Sequence, residues 1–261
     1  MSFSALLGEV EPTSDGFALR VPETWHQGRT AYGGFSAALA LQAAMQVGGD
    51  DLPPVRSAAI AFVGPLAGEV GVSARLLRTG RNATGIGAEI VSEGGVGFNA
   101  SFVFMQPGKS SLTLNHNPPP EELIQVAQAL PVAHTEHSPA FLRHHFDTRF
   151  ALPRSAEKRP EICWWVRPRE REGLAPMTAL LLCADALPPG VLSLLGPLAR
   201  VSSMIWQVNL LSSVPSTRDG WWLLRSTGDY AESGCSSQCM AIWNADGAPV
   251  VSGMQSIAMF E

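Results

Sequence analysis

An acidic residue stands where an apolar helix is predicted to end, in the stretch LLLCADALPPG (residues 180–190). Pro188-Pro189-Gly190 should end this helix near Leu187, which puts Asp185 in its last turn. The macrodipole disfavours a carboxylate there, and apolar neighbours disfavour its charge further. A carboxyl whose pKa is raised in this way could act as a general base, or could only orient a water molecule. The alternative is a solvated or locally capped acid with no function.

Residue spacing gives little support to metal or nucleophile chemistry. Cys235 and Cys239 form a C-x-x-x-C pair, but no histidine follows them and no second pair stands nearby, so we expect no metal site. The cysteines are better interpreted as buried free thiols. No G-x-S-x-G motif occurs, which disfavours a serine hydrolase. All six histidines lie before residue 146, although His26 could reach Asp185 from the first half.

Composition narrows the class of protein. The chain has 261 residues, of which 46% are hydrophobic and 16% charged. Its formal net charge of -5 disfavours a broad nucleic-acid surface. Apolar runs are shorter than the roughly 18 residues that span a bilayer, and the first residues lack the pattern of a signal peptide. We therefore expect a cytoplasmic protein without membrane insertion or a nucleic-acid partner.

The first half reads as a helix followed by antiparallel strands. Two glycines lead into an Ala/Leu-rich run that Gly48-Gly49 closes, which predicts one buried helix within residues 26–49. A short strand precedes it at 16–22. Strand-like stretches separated by Gly/Pro/Asn turns follow it, at 55–64, 68–78, 82–93 and 96–106. This order is typical of an α+β protein.

The second half repeats that order. Strand-like stretches at 145–153 and 161–170 precede a buried helix at 176–187, and strands follow at 201–213, 220–230, 233–247 and 248–261. The simplest account is an internal duplication, in which each copy is a long central helix wrapped by an antiparallel sheet. We predict an N-terminal unit at 1–112, a proline-rich linker with a short helix at 113–138, and a C-terminal unit at 139–261 that carries the active site.

Six stretches, taken in order and spacing, carry a family resemblance. They are YGGFSAALALQAA (32–44), LLRTGRNATGIGAEIV (76–91), WWVRPRE (164–170), LLLCADALPPG (180–190), SSMIWQVNLL (202–211) and IWNADGAPVVSGMQS (242–256). Together they resemble the double-hotdog form of the hotdog fold. More closely, the chain resembles the thioesterase-like proteins related to bacterial acyl-CoA thioesterase II, and the resemblance covers nearly the whole chain.

The resemblance implies a hydrolytic site. In such enzymes an Asp on the second helix, a Thr or Ser on a following strand and a Gln on the last strand hold the attacking water. The matching residues here are Asp185, Ser203 and Gln255, with serine where relatives often have threonine. Ser202 is adjacent to Ser203, and a one-residue slip would change the face of the strand.

Thioester hydrolysis needs a water molecule, a group that takes its proton, and donors for the oxyanion. We expect acyl-CoA hydrolysis by direct water attack, without a metal or cofactor. Backbone N–H groups at Gly33 and Gly34 could approach the substrate, and Trp206 should line the acyl tunnel. An open sheet edge or apolar sheet face favours a homodimer.

Two other interpretations stay open. A hydratase or dehydratase on the same fold would pair an acid with a histidine or a similar group. A non-catalytic acyl-thioester-binding protein is the other, because the first helix carries no acid and one of the two potential sites is therefore blank. Convergence of Asp185, Ser203 and Gln255 at hydrogen-bond range beside an apolar tunnel would favour the hydrolase, and their divergence would favour the binding protein.

Overall fold

The computed structural model describes residues 1–196 and 199–260. Its helices are α1 (Phe3–Leu7), α2 (Gly33–Gly48), α3 (Ala140–His145) and α4 (Pro176–Ala184). Short 3-10 turns cover Glu23–Trp25, Gly190–Ser193 and Arg218–Gly220.

The strands form two groups along the chain, one before and one after the predicted linker. The first group is β1 (Glu11–Pro12), β2 (Gly16–Arg20), β3 (His26–Gln27), β4 (Thr30–Ala31), β5 (Val55–Phe62), β6 (Glu69–Thr79), β7 (Ala83–Ser92) and β8 (Gly95–Met105). The second group is β9 (Phe146–Phe150), β10 (Glu161–Pro168), β11 (Arg200–Leu210), β12 (Trp222–Glu232), β13 (Cys235–Asn244) and β14 (Pro249–Phe260).

One antiparallel sheet contains every strand except β3 and β4, which pair with each other. Its order is β1-β2-β6-β7-β8-β5-β11-β14-β13-β12-β10-β9, and β5 and β11 join the halves. Reading outward from this joint on either side, the first strand after each central helix is followed by the fourth, the third and the second strand after that helix. The order is β5, β8, β7, β6 on one side and β11, β14, β13, β12 on the other. This repeated order supports the internal duplication, and the α+β class is confirmed.

Helix α2 matches the predicted Ala/Leu-rich helix closely. It ends at Gly49, whose φ of +75° is a conformation that other residues rarely adopt. Its small side chains are almost all buried, because the helix packs against β6, β7 and β8 on one side and against α4 on another. This position brings the beginning of α2 next to the end of α4.

Helix α4 is shorter than predicted. It has nine residues and ends at Ala184, with Asp185 as its C-cap, so the expectation of a long central helix in each copy is not confirmed in this half. The physical reason is the proline pair. In a longer helix the carbonyls of Ala184 and Asp185 would need the N–H groups of residues 188 and 189, and both are prolines.

The proline-rich stretch packs against the C-terminal half. Residues 106–139, all of them described, contain no helix, so the short helix predicted there is absent. The indole Nε1–H of Trp165 donates to the Ile124 carbonyl at 2.8 Å, and that of Trp243 donates to the Asn117 carbonyl at 2.7 Å. These tryptophans belong to a second apolar cluster, separate from the main core around α2 and α4.

The four cysteines are free thiols, as expected, but only Cys163 and Cys183 are buried. Cys235 and Cys239 are exposed, so the expectation that all four are buried is wrong for this pair. Both lie on β13 with side chains on its outer face. No helix in the described part of the chain is long and apolar enough to cross a membrane.

Tyr32 ties the two central helices together, and its removal provides a stability test. Its buried hydroxyl donates to the Leu182 carbonyl in the last turn of α4 at 3.0 Å. We expect Tyr32→Phe to lower the free energy of unfolding by about 1–2 kcal/mol in urea titrations, because a buried carbonyl loses its donor. Tyr230→Phe is the matched control, since the exposed Tyr230 hydroxyl contacts only the surface residue Glu232. Equal unfolding midpoints for wild type and Tyr32→Phe would contradict this role.

Candidate active site

Asp185 lies between the ends of two helices. It is the C-cap of α4, where the negative end of that helix's dipole disfavours its charge. The backbone N–H of Gly34, in the first turn of α2, by contrast favours the charged form of the Asp185 carboxyl. The positive end of the α2 dipole therefore compensates for the unfavourable end of α4.

Two adjacent glycines at the start of α2 make this approach possible. A Cβ on Gly33 would overlap with the Oδ2 atom of Asp185. A Cβ on Gly34 would lie 2.7 Å from the Leu182 carbonyl oxygen and 2.5 Å from the Tyr32 hydroxyl. Gly33 lines the cavity beside Asp185, whereas Gly34 is buried against α4.

Burial dominates the electrostatics of Asp185. It raises the pKa of the carboxyl to about 7, although hydrogen bonds from Gln255 and the Gly34 N–H act in the opposite direction. Burial and the nearby Asp185 charge also hold the pKa of Tyr32 well above its usual value. Tyr32 is therefore a protonated donor, and Asp185 is the group near it that changes charge close to neutral pH.

Gln255 is the second predicted residue that the structure brings to this point. Its Nε2 donates to Asp185 Oδ1 at 2.7 Å. Gln255 is buried and lies behind Asp185, outside the lining of the cavity. It therefore contacts the carboxylate directly without being part of the described cavity wall.

Sequence reasoning missed Gln238 and Ser226, which extend this contact. The Gln238 Nε2 donates to Gln255 Oε1 at 2.8 Å, and the Ser226 hydroxyl donates to Gln238 Oε1 at 2.9 Å. A signal was present, because Gln238 shares its strand face with the buried Met240 and Ile242. A polar side chain on the buried face of a strand needs hydrogen-bond partners.

Ser203 reaches the inner face of the sheet because β11 contains an irregularity. In a regular strand, Ser203 and Trp206 would lie on opposite faces, since they are three residues apart. A shift in register at Met204 pairs Ser203 with Ile257 and Trp206 with Gln255, and these partners share a face. Ser203 lines the cavity with Asp185, as does Ser202. Among the described contacts, Ser203 makes no hydrogen bond with Asp185 or Gln255.

The cavity beside Asp185 has a volume of about 280 Å³. Its walls come from the start of α2, the end of β5, the β3–β4 hairpin and the first residues of β11. Exposed Gln27 and Arg29 mark its opening to solvent. Trp206, which we predicted to line an acyl tunnel, is fully buried in the core and outside this lining.

The described lining of this cavity contains no histidine. His26 lines a different cavity, near α1 and β2, and its buried Nε2 has no hydrogen-bond partner among the described residues. The acid–histidine pair that a hydratase would use is therefore not formed at Asp185. No group of three or more potential metal-ligating side chains occurs in the described part of the chain.

Two family models match the sequence and together span most of it. Residues 21–105 match the model described as the acyl-CoA thioesterase N-terminal domain, and residues 120–259 match the acyl-CoA thioesterase C-terminal domain. The second match alone covers more than half of the chain. A search of curated proteins returned no significant match.

Solved structures share the fold over essentially full length. A conserved protein of unknown function with a hot dog fold from Alicyclobacillus acidocaldarius has a TM-score of 0.86 at 16% identity, covering 100% of this chain and 99% of that one. A provisionally assigned thioesterase II from Thermobifida fusca YX has a TM-score of 0.82 at 22% identity, with coverages of 99% and 97%. An acyl-CoA thioesterase II from Mycobacterium marinum has a TM-score of 0.71 at 16% identity, with coverages of 99% and 98%.

At these low sequence identities, the structural similarity shows only that the chain has the hotdog fold. Membership of a family rests on the matches to the two family models. The chain belongs to the acyl-CoA thioesterase family and is a thioester hydrolase.

Proposed function

We propose that this protein hydrolyses an acyl-CoA thioester by direct attack of a water molecule that Asp185 activates. The observation that carries the proposal is the position of the Asp185 carboxyl. It lines a solvent-open cavity at the N-terminus of α2, and burial brings its pKa to about 7. A general base works best when its pKa lies near the operating pH, because it is then both ionised and basic.

The reaction needs one water molecule and no covalent intermediate. The ionised Asp185 carboxylate takes a proton from water while the water oxygen forms a bond to the thioester carbonyl carbon. The tetrahedral oxyanion then collapses, the carbon–sulfur bond breaks, and the thiolate takes the proton from Asp185. The products are a free thiol and a carboxylic acid, which loses its proton to solvent, and Asp185 is again a carboxylate.

The neighbouring groups have distinct roles in this proposal. Gln255 donates to the carboxylate and holds its orientation. The Ser203 hydroxyl is on the cavity wall, where it can hydrogen-bond the water. The N–H of Gly33, in the first position of α2, has no partner within the helix and can donate to the oxyanion. The N–H of Gly34 favours the charged form of Asp185, so we assign it to the base and not to the substrate.

Arg29 suggests how the coenzyme A portion is recognised. It is exposed at the cavity opening, next to Gly28 in the turn of the β3–β4 hairpin. A guanidinium there can pair with the phosphates of coenzyme A. The basic residues around Trp164-Trp165 are less suitable, because Arg167 and Arg169 both pair with Asp147 at 2.7 and 3.1 Å.

A homodimer is also part of the proposal. Exposed apolar side chains lie on the outer face of the large sheet, on neighbouring strands that include the β5–β11 joint. They are Val91, Val103, Ile205 and Met254. Pairing of two copies through this face would remove them from water.

Replacing Asp185 tests the mechanism. We expect Asp185→Asn to reduce kcat about a hundredfold or more, because the variant cannot accept a proton from water. Free-thiol release from short, medium and long acyl-CoAs provides the measurement. The control is Asp51→Asn, which changes an exposed acid far from the cavity lining. Equal turnover in wild type and Asp185→Asn would remove Asp185 from the mechanism. Binding of acyl-CoA without turnover by wild type would instead indicate a non-catalytic binding protein.

Stability should also depend on pH through Asp185. The folded pKa of about 7 lies above the ordinary value of 3.8, so deprotonation penalises the folded state. Below about pH 4 both states hold the proton and no penalty exists. Between pH 4 and 7 we expect wild type to lose unfolding free energy, by up to about 1.4 kcal/mol per pH unit, while Asp185→Asn does not lose it. Above pH 7 the difference between the two proteins should stay constant. If urea titrations give the same difference in unfolding free energy at every pH, the pKa of Asp185 is not raised in the folded state.

Arg29 can be tested with two substrates that share an acyl group. We expect Arg29→Ala to raise KM for an acyl-CoA about tenfold, since a charged contact with a phosphate is lost. The KM for the same acyl group on N-acetylcysteamine, which has no phosphate, should not change. Arg81→Ala is the control, because Arg81 is also exposed but lies outside the cavity lining. Equal changes in KM for both substrates would rule out phosphate recognition by Arg29.

A further inference from the structure

Gln255, which the mechanism above uses, is hydrogen-bonded to a second buried amide, Gln238, which that mechanism does not use. Gln255 on β14 faces Gln238 on β13, and the two are direct partners across these strands. Gln238 in turn meets the backbone N–H of Gly190, with 3.0 Å between that nitrogen and Gln238 Oε1. Gln238 and Gln255 are nearly inaccessible to solvent, at 1% and 2% exposure. Three hydrogen bonds therefore connect a backbone group to the Asp185 carboxylate.

The direction of these hydrogen bonds is fixed at both ends, because the backbone N–H of Gly190 can only donate and the ionised Asp185 carboxylate can only accept. An amide side chain can rotate and exchange its oxygen with its nitrogen, and a hydroxyl such as that of Ser226 can donate or accept. The N–H of Gly190 can only donate, so Gln238 must present its oxygen to it. The Gln238 NH₂ then faces the Gln255 oxygen, and the Gln255 NH₂ faces Asp185.

We propose that Gln238 is a positioning residue for the catalytic base, which transmits the fixed donor direction of the Gly190 N–H to the amide of Gln255. If Gln238 is absent, the Gln255 oxygen loses its donor and the amide can rotate. A rotated Gln255 would turn its oxygen toward the Asp185 carboxylate, where two acceptors repel each other.

Gly190 is placed for this role by close backbone packing. A Cβ there would lie 2.5 Å from the Pro160 carbonyl oxygen and 2.9 Å from the Gly228 nitrogen. The absence of a side chain lets the 3-10 turn that begins at Gly190 approach β12 closely enough for its N–H to reach both Gln238 and Ser226. The anchor is thus set by the backbone and does not depend on the rotamer of another side chain.

The consequence for catalysis rests on the proposed role of Asp185 as the base. Its hydrogen bond from Gln255 favours the carboxylate over the protonated acid. The other titratable or charged groups that face the site are Tyr32 and Cys183, both protonated near neutral pH, and Arg29 at the cavity opening. A pH midpoint near 7 in kcat therefore reports Asp185, and loss of the Gln255 donor should move that midpoint upward.

The test compares Gln238→Met with wild type and with Ser236→Ala. Methionine keeps the volume of glutamine but removes both polar atoms. Ser236 is a buried polar residue on the same face of β13, and its hydroxyl has no hydrogen-bond partner among the described residues. We expect Gln238→Met to move the acidic midpoint of kcat upward by about one pH unit and to lower kcat at pH 7 about fivefold, while KM stays unchanged. Ser236→Ala should keep the wild-type midpoint.

A purely structural role for Gln238 gives a different result. Partial unfolding would lower kcat by the same factor at every pH and leave the midpoint in place. An unmoved midpoint in Gln238→Met, or an equal shift in Ser236→Ala, would overturn the proposal.

A second measurement covers the case in which Gln238→Met does not fold. Neutron diffraction from wild-type crystals locates the amide deuterons, and we expect them on the Gln255 nitrogen facing Asp185 and the Gln238 nitrogen facing Gln255. The reverse orientation would also overturn the proposal.

Carbon-13 NMR titration of the Asp185 carboxyl in wild type and Gln238→Met tests the positioning role of Gln238 without turnover. If wild type shows no thioesterase activity, the proposed function fails, while this titration still decides the role of Gln238.

Discussion

The close approach of the Asp185 carboxylate to the N-terminus of α2 is the interaction on which the site depends. It joins the end of the second helix to the beginning of the first, although about 150 residues separate them in sequence. The C-terminus of α4 alone would make a carboxylate unfavourable, and the N-terminus of α2 offsets that effect, each by tenths of a kcal/mol to about 1 kcal/mol. Burial is then the effect that remains, and it raises the pKa of Asp185 toward neutrality. The two glycines and the Tyr32–Leu182 hydrogen bond keep the helix ends close enough for this balance.

The buried amides next to Asp185 lie in only one of the two halves of the duplicated sheet. A single row of cross-strand partners runs through the sheet. In the C-terminal half it consists of Gln238, Gln255 and Trp206, and in the N-terminal half it continues with Ile60, Ala100 and Ala88. The row is polar at β13 and β14 and apolar beyond them. Helix α2 likewise lacks an acid, and its Gly33 and Ser36 line the cavity. The first copy therefore supplies the helix N-terminus and much of the cavity wall, while the second supplies Asp185 and the amides that are hydrogen-bonded to it. Each half depends on the other for a complete site, which gives a physical reason for both copies to remain joined.

Local sequence patterns were sufficient for much of the fold. The helix at residues 33–48, bounded by glycines, and the Asp-Gly hairpin before the last strand follow from short-range rules that the structure obeys. The α+β order of elements follows from the same rules. The end of α4 was misplaced by three residues, since the prediction considered the residue before Pro188 and not the two carbonyls that the proline pair leaves without donors. The short helix predicted in the proline-rich stretch was also wrong, because this segment packs its backbone carbonyls against tryptophans of the C-terminal half.

The sequence by itself determined that Asp185 is an unusual acid, because an apolar helix end is a costly place for a charge regardless of the fold. It also placed Gln255 on the final strand and left Ser202 and Ser203 as alternatives. Only the tertiary structure decided that Gly34 meets Asp185, that Trp206 belongs to the core, and that a register shift at Met204 brings Ser203 to the inner face. Only it revealed the hydrogen-bond partners of Gln238, which lie on a neighbouring strand and in a distant turn. These contacts depend on strand register and on the approach of separate segments, and neither is encoded in the spacing of residues along a single element.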